Sequence, residues 1–479
     1  MKKFITIIVA LVALFALVSC GDSNKSRDHG ILSPDEIDTS KDITITFYHA
    51  MGQKNQEVIA AIAENFSADM KEQYGVNVHV EQTSQGDYVT LRKTISSAIS
   101  AGDQPTIAQT YPDHVATYLE GEAVRPLDDF IAHSEYGLEG SKADSYGYID
   151  SFWAEGSIYD KKGTIYSIPF NKSTEVLFYN KNIFDKYNWE VPTTWEDIVD
   201  ICEKFRQTTE YQQKTTGASA VPGAGLGIDS EANLFITLLQ QYGGQYTGFD
   251  ASGKGVYLFD NPQTKQALNW LVSEFNKGNI VTTSYFGTNY CSDAFKNGQC
   301  VMTIGSSAGA SYNVVADGSF VTGVAPYPQL KDAPAERQFV IQQGTNVSLF
   351  KCVDAQEELF GWLFIKYLTN YESALYWTLK TAYFPTRKDV AASKEYQEYI
   401  SQMVYDASGQ GHKVYDAEKE VCVVGLAQAD KFYTSVAFPG TALARDEATL
   451  IIQGILYDQQ SGTTVDSAIK RALEQLTNQ

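Results

Sequence analysis

The spacing of hydrophobic residues between positions 42 and 80 constrains this chain more than any other feature. Ile43, Ile45 and Phe47 alternate with polar or amphipathic neighbours, Val58, Ile59, Ile62, Phe66 and Met70 recur at helical spacing, and Val76, Val78 and Val80 alternate again. A period of two, then of three to four, then of two describes a strand, a helix and a strand. Such a βαβ unit requires a sheet with parallel strands covered by helices, so the chain belongs to the α/β class. Residues 87–101 extend the pattern as a further helix and residues 106–110 as a short strand running into Tyr111-Pro112-Asp113. Asp113 suits an N-cap for the helix carrying Val115 and Leu119, or a ligand contact.

Ahead of this unit, Lys2 and Lys3 precede an uncharged apolar run from Phe4 to Val18. That run is short of the roughly 20 residues a spanning helix needs, and it reads as a signal peptide over residues 1–19. A small residue and then Cys20 close it, as in a bacterial lipobox, so cleavage before Cys20 and lipidation of its thiol are expected. Residues 20–41 are rich in Ser, Asp, Asn and Lys and read as a flexible tether, with the fold beginning near Asp42. The protein is therefore expected to be exported and lipid-anchored, facing the periplasm or the cell exterior.

The formal charge of -21 becomes -23 when the leader removes Lys2 and Lys3 and no acid. That balance argues against nucleic acid as a partner. Five cysteines follow Cys20, an odd number, with Cys291 and Cys300 candidates for a disulfide against a reading of buried structural thiols. The six histidines lie far apart, and no His-Glu-x-x-His, Gly-x-Ser-x-Gly or phosphate-binding loop occurs. No catalytic, metal or cofactor apparatus is therefore expected.

The middle of the chain centres on Pro169 to Lys181. Asn171 to Thr174 read as a polar turn between apolar runs at 165–170 and 176–179, either at the ligand-bearing end of a sheet or as a surface hairpin. Thr194 and Glu196 open a helix after Pro192, residues 207–230 read as a loop, and Asn261-Pro262 start another helix. Cys300 to Ile304 form a strand that ends in the small-residue turn Gly305-Ser306-Ser307. Tyr383-Phe384-Pro385 is a loop whose ring either stacks on a ligand or packs in the turn.

Taken in order, the lipobox, the βαβ unit, Pro169-Phe170-Asn171-Lys172-Ser173-Thr174, Pro192-Thr-Thr-Trp195, Asn297-Gly298-Gln-Cys300-Val-Met302 and Tyr383-Phe-Pro385 resemble the extracellular solute-binding proteins of ABC importers. The likeness is to the carbohydrate and sn-glycerol-3-phosphate branch. It implies a bilobed periplasmic-binding-protein-like clamp, two α/β lobes around a ligand cleft with a hinge, acting as a monomer without catalysis. The lobes are expected at 42–148 plus 303–350 and at 149–302 plus 351–479. The implied partners are a small solute (a sugar or glycerol phosphate), the membrane and the transmembrane subunits of an ABC permease.

Carried over residue by residue, the resemblance implies ligand contacts from Tyr88, Ser173, Ser306, Ser307, Gly344, Tyr383 and Arg445. Arg445 would lie ahead of the penultimate helix and would suit a phosphate or carboxylate, or else pair with a neighbouring acid. Where the family has Tyr followed by Glu this chain has Tyr111-Pro112-Asp113, so the acidic ligand group is either missing or shifted to Asp113. A tryptophan expected near Ser230 is replaced by Asp229 and Glu231 nearby. Extra acids disfavour a dianion and suit sugar hydroxyls. The alternative class is a lipid-anchored glycoside hydrolase or surface polysaccharide-binding protein.

Overall fold

Alternation buries Ile43, Ile45 and Phe47 on one face of β1 (Ile43–His49). The computed structural model describes residues 27–316, 318–402, 404–406 and 413–478, so the leader and Cys20 lie outside the described residues. The face of α1 (Gln53–Tyr74) carrying Val58, Ile59, Ile62, Phe66 and Met70 packs on β1, and Gly75 ends the helix in the left-handed conformation, φ 72°. β2 (Val78–Ser84) then pairs parallel with β1. The Asp87 carboxylate caps α2 (Tyr88–Ala101) by accepting from Thr90 N–H at 2.7 Å, and β3 (Ile107–Thr110) pairs parallel with the other edge of β1. The expected βαβ unit is present. α3 (Pro112–Leu119) starts with Tyr111 as its N-cap, so Asp113 is not the cap.

The further elements that build the sheet and its cavity include β4 (Ile168–Asn180), α4 (Trp195–Phe205), β5 (Leu226–Ile228), α5 (Glu231–Gln241), β6 (Ile280–Thr282), β7 (Met302–Ser306), β8 (Thr322–Ala325), β9 (Val340–Leu349), α6 (Ala355–Leu368), α7 (Tyr371–Thr381), β10 (Phe432–Tyr433), α8 (Thr441–Tyr457) and α9 (Val465–Thr477). They complete a curled ten-stranded sheet in the order β2-β1-β3-β9-β4-β7-β5-β6, with β8 on β4 and β10 on β9. Helices cover it, giving the mixed α/β bilobed clamp. Local signals hold up well in α4: Thr194 accepts from Asp197 N–H at 3.1 Å, Asp197 completes a capping box, and Glu196 lies in the first turn.

Of the four apolar clusters among the described residues, the two largest flank the sheet, and two strands run from one to the other. Ile168 and Phe170 belong to the first core and Leu177 and Tyr179 to the second, although all four lie on β4. β9 runs the opposite way, with Val340 and Ile341 in the second core and Val347 and Leu349 in the first. The polar middles of these strands therefore lie where the lobes join. Asn171 to Thr174 are not a turn, as the sequence pattern implied, but the centre of a continuous 13-residue strand that is buried throughout. Each polar side chain there finds a distant partner: Asn171 Oδ1 accepts from Gln109 Nε2 at 3.1 Å and from Thr345, and Thr174 Oγ1 donates to Ile341 O at 2.8 Å.

Each of the later expected segments contributes to both cores. From 303–350, Ile304, Ala325 and Tyr327 pack in the second core and Val347 and Leu349 in the first; from 351–479, Leu359, Trp362, Leu368 and Trp377 pack in the first and Ala444, Ile451 and Leu476 in the second. Residues 27–41 are not a free tether. Arg125 Nη2 donates to His29 O at 2.7 Å, Gln356 Nε2 donates to Asp38 O at 3.0 Å, and Ile31, Leu32 and Ile37 cover the first core. The 207–230 stretch contains a short helix, Thr209–Thr215, and β5. Cys202, Cys291, Cys300, Cys352 and Cys422 are all buried free thiols, so Cys291 and Cys300 are not paired.

Candidate functional site

A cavity of about 560 Å³ lies where β4 and β9 cross between the lobes. Tyr88 at the start of α2 and Tyr383 after α7 wall it from the first lobe; Ser306 at the end of β7, Asn233 on α5 and Arg445 on α8 wall it from the second; Ser173 and Gly344 come from the crossing strands. Six of the expected residues, Tyr88, Ser173, Ser306, Gly344, Tyr383 and Arg445, thus meet around one space although they span more than 350 positions. Asp113 lines a smaller adjoining cavity of about 80 Å³ that shares Tyr111, Asn233, Gln343 and Arg445 with the larger one.

Ser307 lines neither cavity. It is buried, and its Oγ accepts from Thr174 N–H at 3.2 Å, a structural tie between β7 and β4. Arg445 lies within α8 rather than ahead of it, and its guanidinium donates to Asn233 Oδ1. Glu231 also points elsewhere, toward the Thr283 hydroxyl at 3.5 Å, while Asp229 does line the cavity and accepts from Cys291 N–H at 2.7 Å.

Gly344 has a conformational cause. Its φ is 84°, in the left-handed region, and a Cβ there would stand 1.9 Å from Asn171 O. Only glycine lets β9 press this closely on β4 just before the register shifts between Thr345 and Asn346.

Aromatic rings supply much of the wall. Tyr88 and Tyr111 meet edge to face at 4.8 Å between centroids, and burial holds the hydroxyls of Tyr88, Tyr111 and Tyr383 protonated by raising their pKa. At the mouth, Tyr290 and Tyr312 are 65% and 69% exposed, an unusual state for large rings. Both also border a neighbouring groove of about 290 Å³.

One residue the sequence pattern did not single out is Glu175 on β4. It is 1% exposed, its Oε1 accepts from Asn233 Nδ2 at 2.9 Å, and burial pushes its pKa up to about 7 despite that bond and nearby Arg445. Burial likewise lifts Asp229 to about 6. Alongside, Lys172 and Glu155 form a buried ion pair; burial raises the Glu155 pKa and lowers that of Lys172, each offset in part by the other. Among the described residues no cluster of His, Cys, Asp and Glu has the arrangement to hold a metal ion, and no helix is long and apolar enough to cross a membrane.

Residues 61–402 match the family model described as bacterial extracellular solute-binding protein. The sn-glycerol-3-phosphate-binding periplasmic protein UgpB of Escherichia coli K12 is 26% identical over 350 residues, 72% of this chain and 74% of that one. Among solved structures, the GacH receptor of Streptomyces glaucescens GLA.O, studied unliganded and with acarbose, superposes with a TM-score of 0.67 at 19% identity, over 90% of this chain and 97% of that one. UgpB of Mycobacterium tuberculosis in complex with glycerophosphocholine gives 0.68 at 17% identity, over 91% and 98%.

Proposed function

This chain belongs to the bacterial extracellular solute-binding proteins, a family of binding proteins and not of enzymes, and on that premise we propose that it is the membrane-tethered receptor of an ABC importer. It captures a carbohydrate or sn-glycerol-3-phosphate-type solute between its lobes and presents it to the permease. The observation that carries this reading is the 560 Å³ cavity, walled from both lobes exactly where the chain passes between them. A ligand that touches both walls favours the closed arrangement by its differential contacts. Tyrosine rings offer flat apolar faces to a sugar or glycerol backbone, and Ser173, Ser306 and the tyrosine hydroxyls offer hydrogen bonds. Tyr88, Asp113, Ser173, Ser306, Gly344, Tyr383 and Arg445 are the proposed contacts, Asp113 through the adjoining cavity. UgpB of Escherichia coli is named for binding sn-glycerol-3-phosphate and GacH was solved with acarbose, which supports a solute of this kind.

Export and anchoring rest on the leader and Cys20. Two or more acyl chains on that thiol hold a protein stably at a membrane. Cys20→Ala is expected to move the protein from the membrane fraction to the soluble one.

A thermal-shift screen of the purified protein against mono- and oligosaccharides, sn-glycerol-3-phosphate and glycerophosphodiesters tests the reading. A ligand specific to the folded state stabilises it by about 2.7 kcal/mol at a hundredfold excess over Kd. A marked rise with one compact solute supports the proposal; no rise with any, in a protein shown to be folded, counts against it.

A further inference from the structure

We propose that Glu175 selects the solute: its unpartnered Oε2 takes a hydroxyl hydrogen from a neutral saccharide, and the acidic wall it belongs to excludes phosphate monoesters. This rests on the solute-receptor reading above and narrows it to one of its two ligand classes.

The argument begins with hydrogen-bond capacity. A carboxylate accepts through both oxygens, and a buried one left with a free oxygen is costly. Glu175 Oε1 is satisfied by Asn233, but Oε2 is buried without a partner, on a side chain that lines the cavity. Gln343, on the adjacent strand at the register position of Ser173, also lines the cavity with a buried, unpartnered Oε1. Two idle acceptors on neighbouring strands call for a ligand that brings donors. A saccharide carries hydroxyl donors along its length, whereas the phosphate end of a phosphate monoester is an acceptor.

The neighbours set the sign of the field. Arg445 donates to Asn233 Oδ1, and Asn233 Nδ2 donates to Glu175, so the arginine's hydrogen bond is directed through the amide toward the carboxylate. That relay fixes the amide orientation and leaves Oε2 as the end of the chain of donors and acceptors. Among the described residues lining the cavity, the other cation, Lys296, pairs with Asp293 at 3.1 Å. Three carboxylates, Glu175, Asp229 and Asp293, outnumber two cations, Lys296, which pairs with Asp293, and Arg445, whose guanidinium is hydrogen-bonded to the Asn233 amide. A phosphate dianion placed against Glu175 would bring only acceptors to Oε2 and would meet repulsion from the wall. Hydroxyls meet neither obstacle, and their bonds to a carboxylate are charge-assisted.

Isothermal titration calorimetry at pH 8, where Glu175 and Asp229 are ionised, of the purified protein, of Glu175→Gln and of Glu175→Asp, with neutral mono- to tetrasaccharides and with sn-glycerol-3-phosphate, tests this. Thermal unfolding of each variant checks that it is folded. The parent is expected to bind a neutral saccharide and to bind sn-glycerol-3-phosphate at least tenfold more weakly. Glu175→Gln should weaken the saccharide about tenfold to a hundredfold, the range for losing one charge-assisted hydrogen bond, and should narrow the gap between the two ligands. Glu175→Asp keeps the charge but withdraws the oxygen, so it should weaken the saccharide while still rejecting the phosphate. A saccharide bound equally by parent and Glu175→Gln, or sn-glycerol-3-phosphate bound more tightly than any saccharide, overturns the inference and leaves the receptor reading intact. Binding of neither class by the folded parent overturns both.

Discussion

The side-chain amide of Asn233, on a helix of the second lobe, donates a 2.9 Å hydrogen bond to the carboxylate of Glu175, in the middle of a strand that crosses between the lobes. It places a titratable group with a displaced pKa in the cavity wall, and a pH dependence follows. Burial is the largest cause of the upward displacement to about 7; Asn233 and Arg445 oppose it and Asp229 adds to it. Between pH 4.5, the ordinary value, and pH 7 the folded state keeps a proton that the unfolded chain has released. The stability this group contributes is thus complete below pH 4.5 and is lost as pH rises to 7. Glu175→Gln does not titrate, so the unfolding free energy of the variant minus that of the parent should climb across this window by up to about 3 kcal/mol. Urea denaturation of both proteins at pH 4.5, 6 and 8 measures it; a difference that stays constant would contradict the assignment.

Gly344 should tolerate no side chain. Gly344→Ala must place a Cβ against Asn171 O in the left-handed backbone region, at an expected cost of about 1–3 kcal/mol or more. Gly30→Ala, where a Cβ meets nothing within 4 Å, is the matched control and should be near neutral. Denaturant midpoints compare the two directly.

Lys172 and Glu155 are buried together at 0% and 3% side-chain exposure. Lys172→Met leaves the Glu155 carboxylate unpaired and should cost about 3–5 kcal/mol. Adding Glu155→Leu removes the stranded charge and should recover most of that loss. A double-mutant cycle by urea unfolding reads the coupling, and additive losses would argue against it.

Tyr290 and Tyr312 stand exposed at the cavity mouth and border the outer groove. If the solute is longer than one sugar unit, these rings stack on the part outside. Changing both to Ala should weaken tri- and tetrasaccharides about threefold to tenfold for one or two stacking contacts, leave monosaccharides unaffected, and alter the unfolding free energy by less than about 0.5 kcal/mol. Calorimetric titration over a chain-length series measures the split.

Local features of the fold were legible because local chemistry determines them. The period switch at positions 42–80, the Thr194 cap and the Asn261 cap each depend on residues within one or two turns. The crossing of the lobes was not, because the polar residues Asn171 to Thr174 imitate a turn unless their partners, Thr345, Ile341 and Ser307, are known to lie beside them. The same gap left the cores of the later segments unread: which core Ile304 or Trp362 joins depends on strand order, not on either segment's own pattern. Residues 27–41 lack an apolar period yet are held mainly by hydrogen bonds and ion pairs to Arg125, Gln356 and Lys351. Glu175 escaped notice because nothing in the run Lys172-Ser173-Thr174-Glu175 marks the one polar side chain left with an idle oxygen.

The central claim is that a compact solute is held between two lobes that close on it. Small-angle X-ray scattering of the purified protein, free and saturated with the solute that gives the strongest thermal shift, tests this most directly. The account predicts a smaller radius of gyration in the bound state, with the change abolished in a variant that no longer binds. An unchanged scattering profile at full occupancy would contradict capture by closure and would place the ligand on a surface of a single lobe.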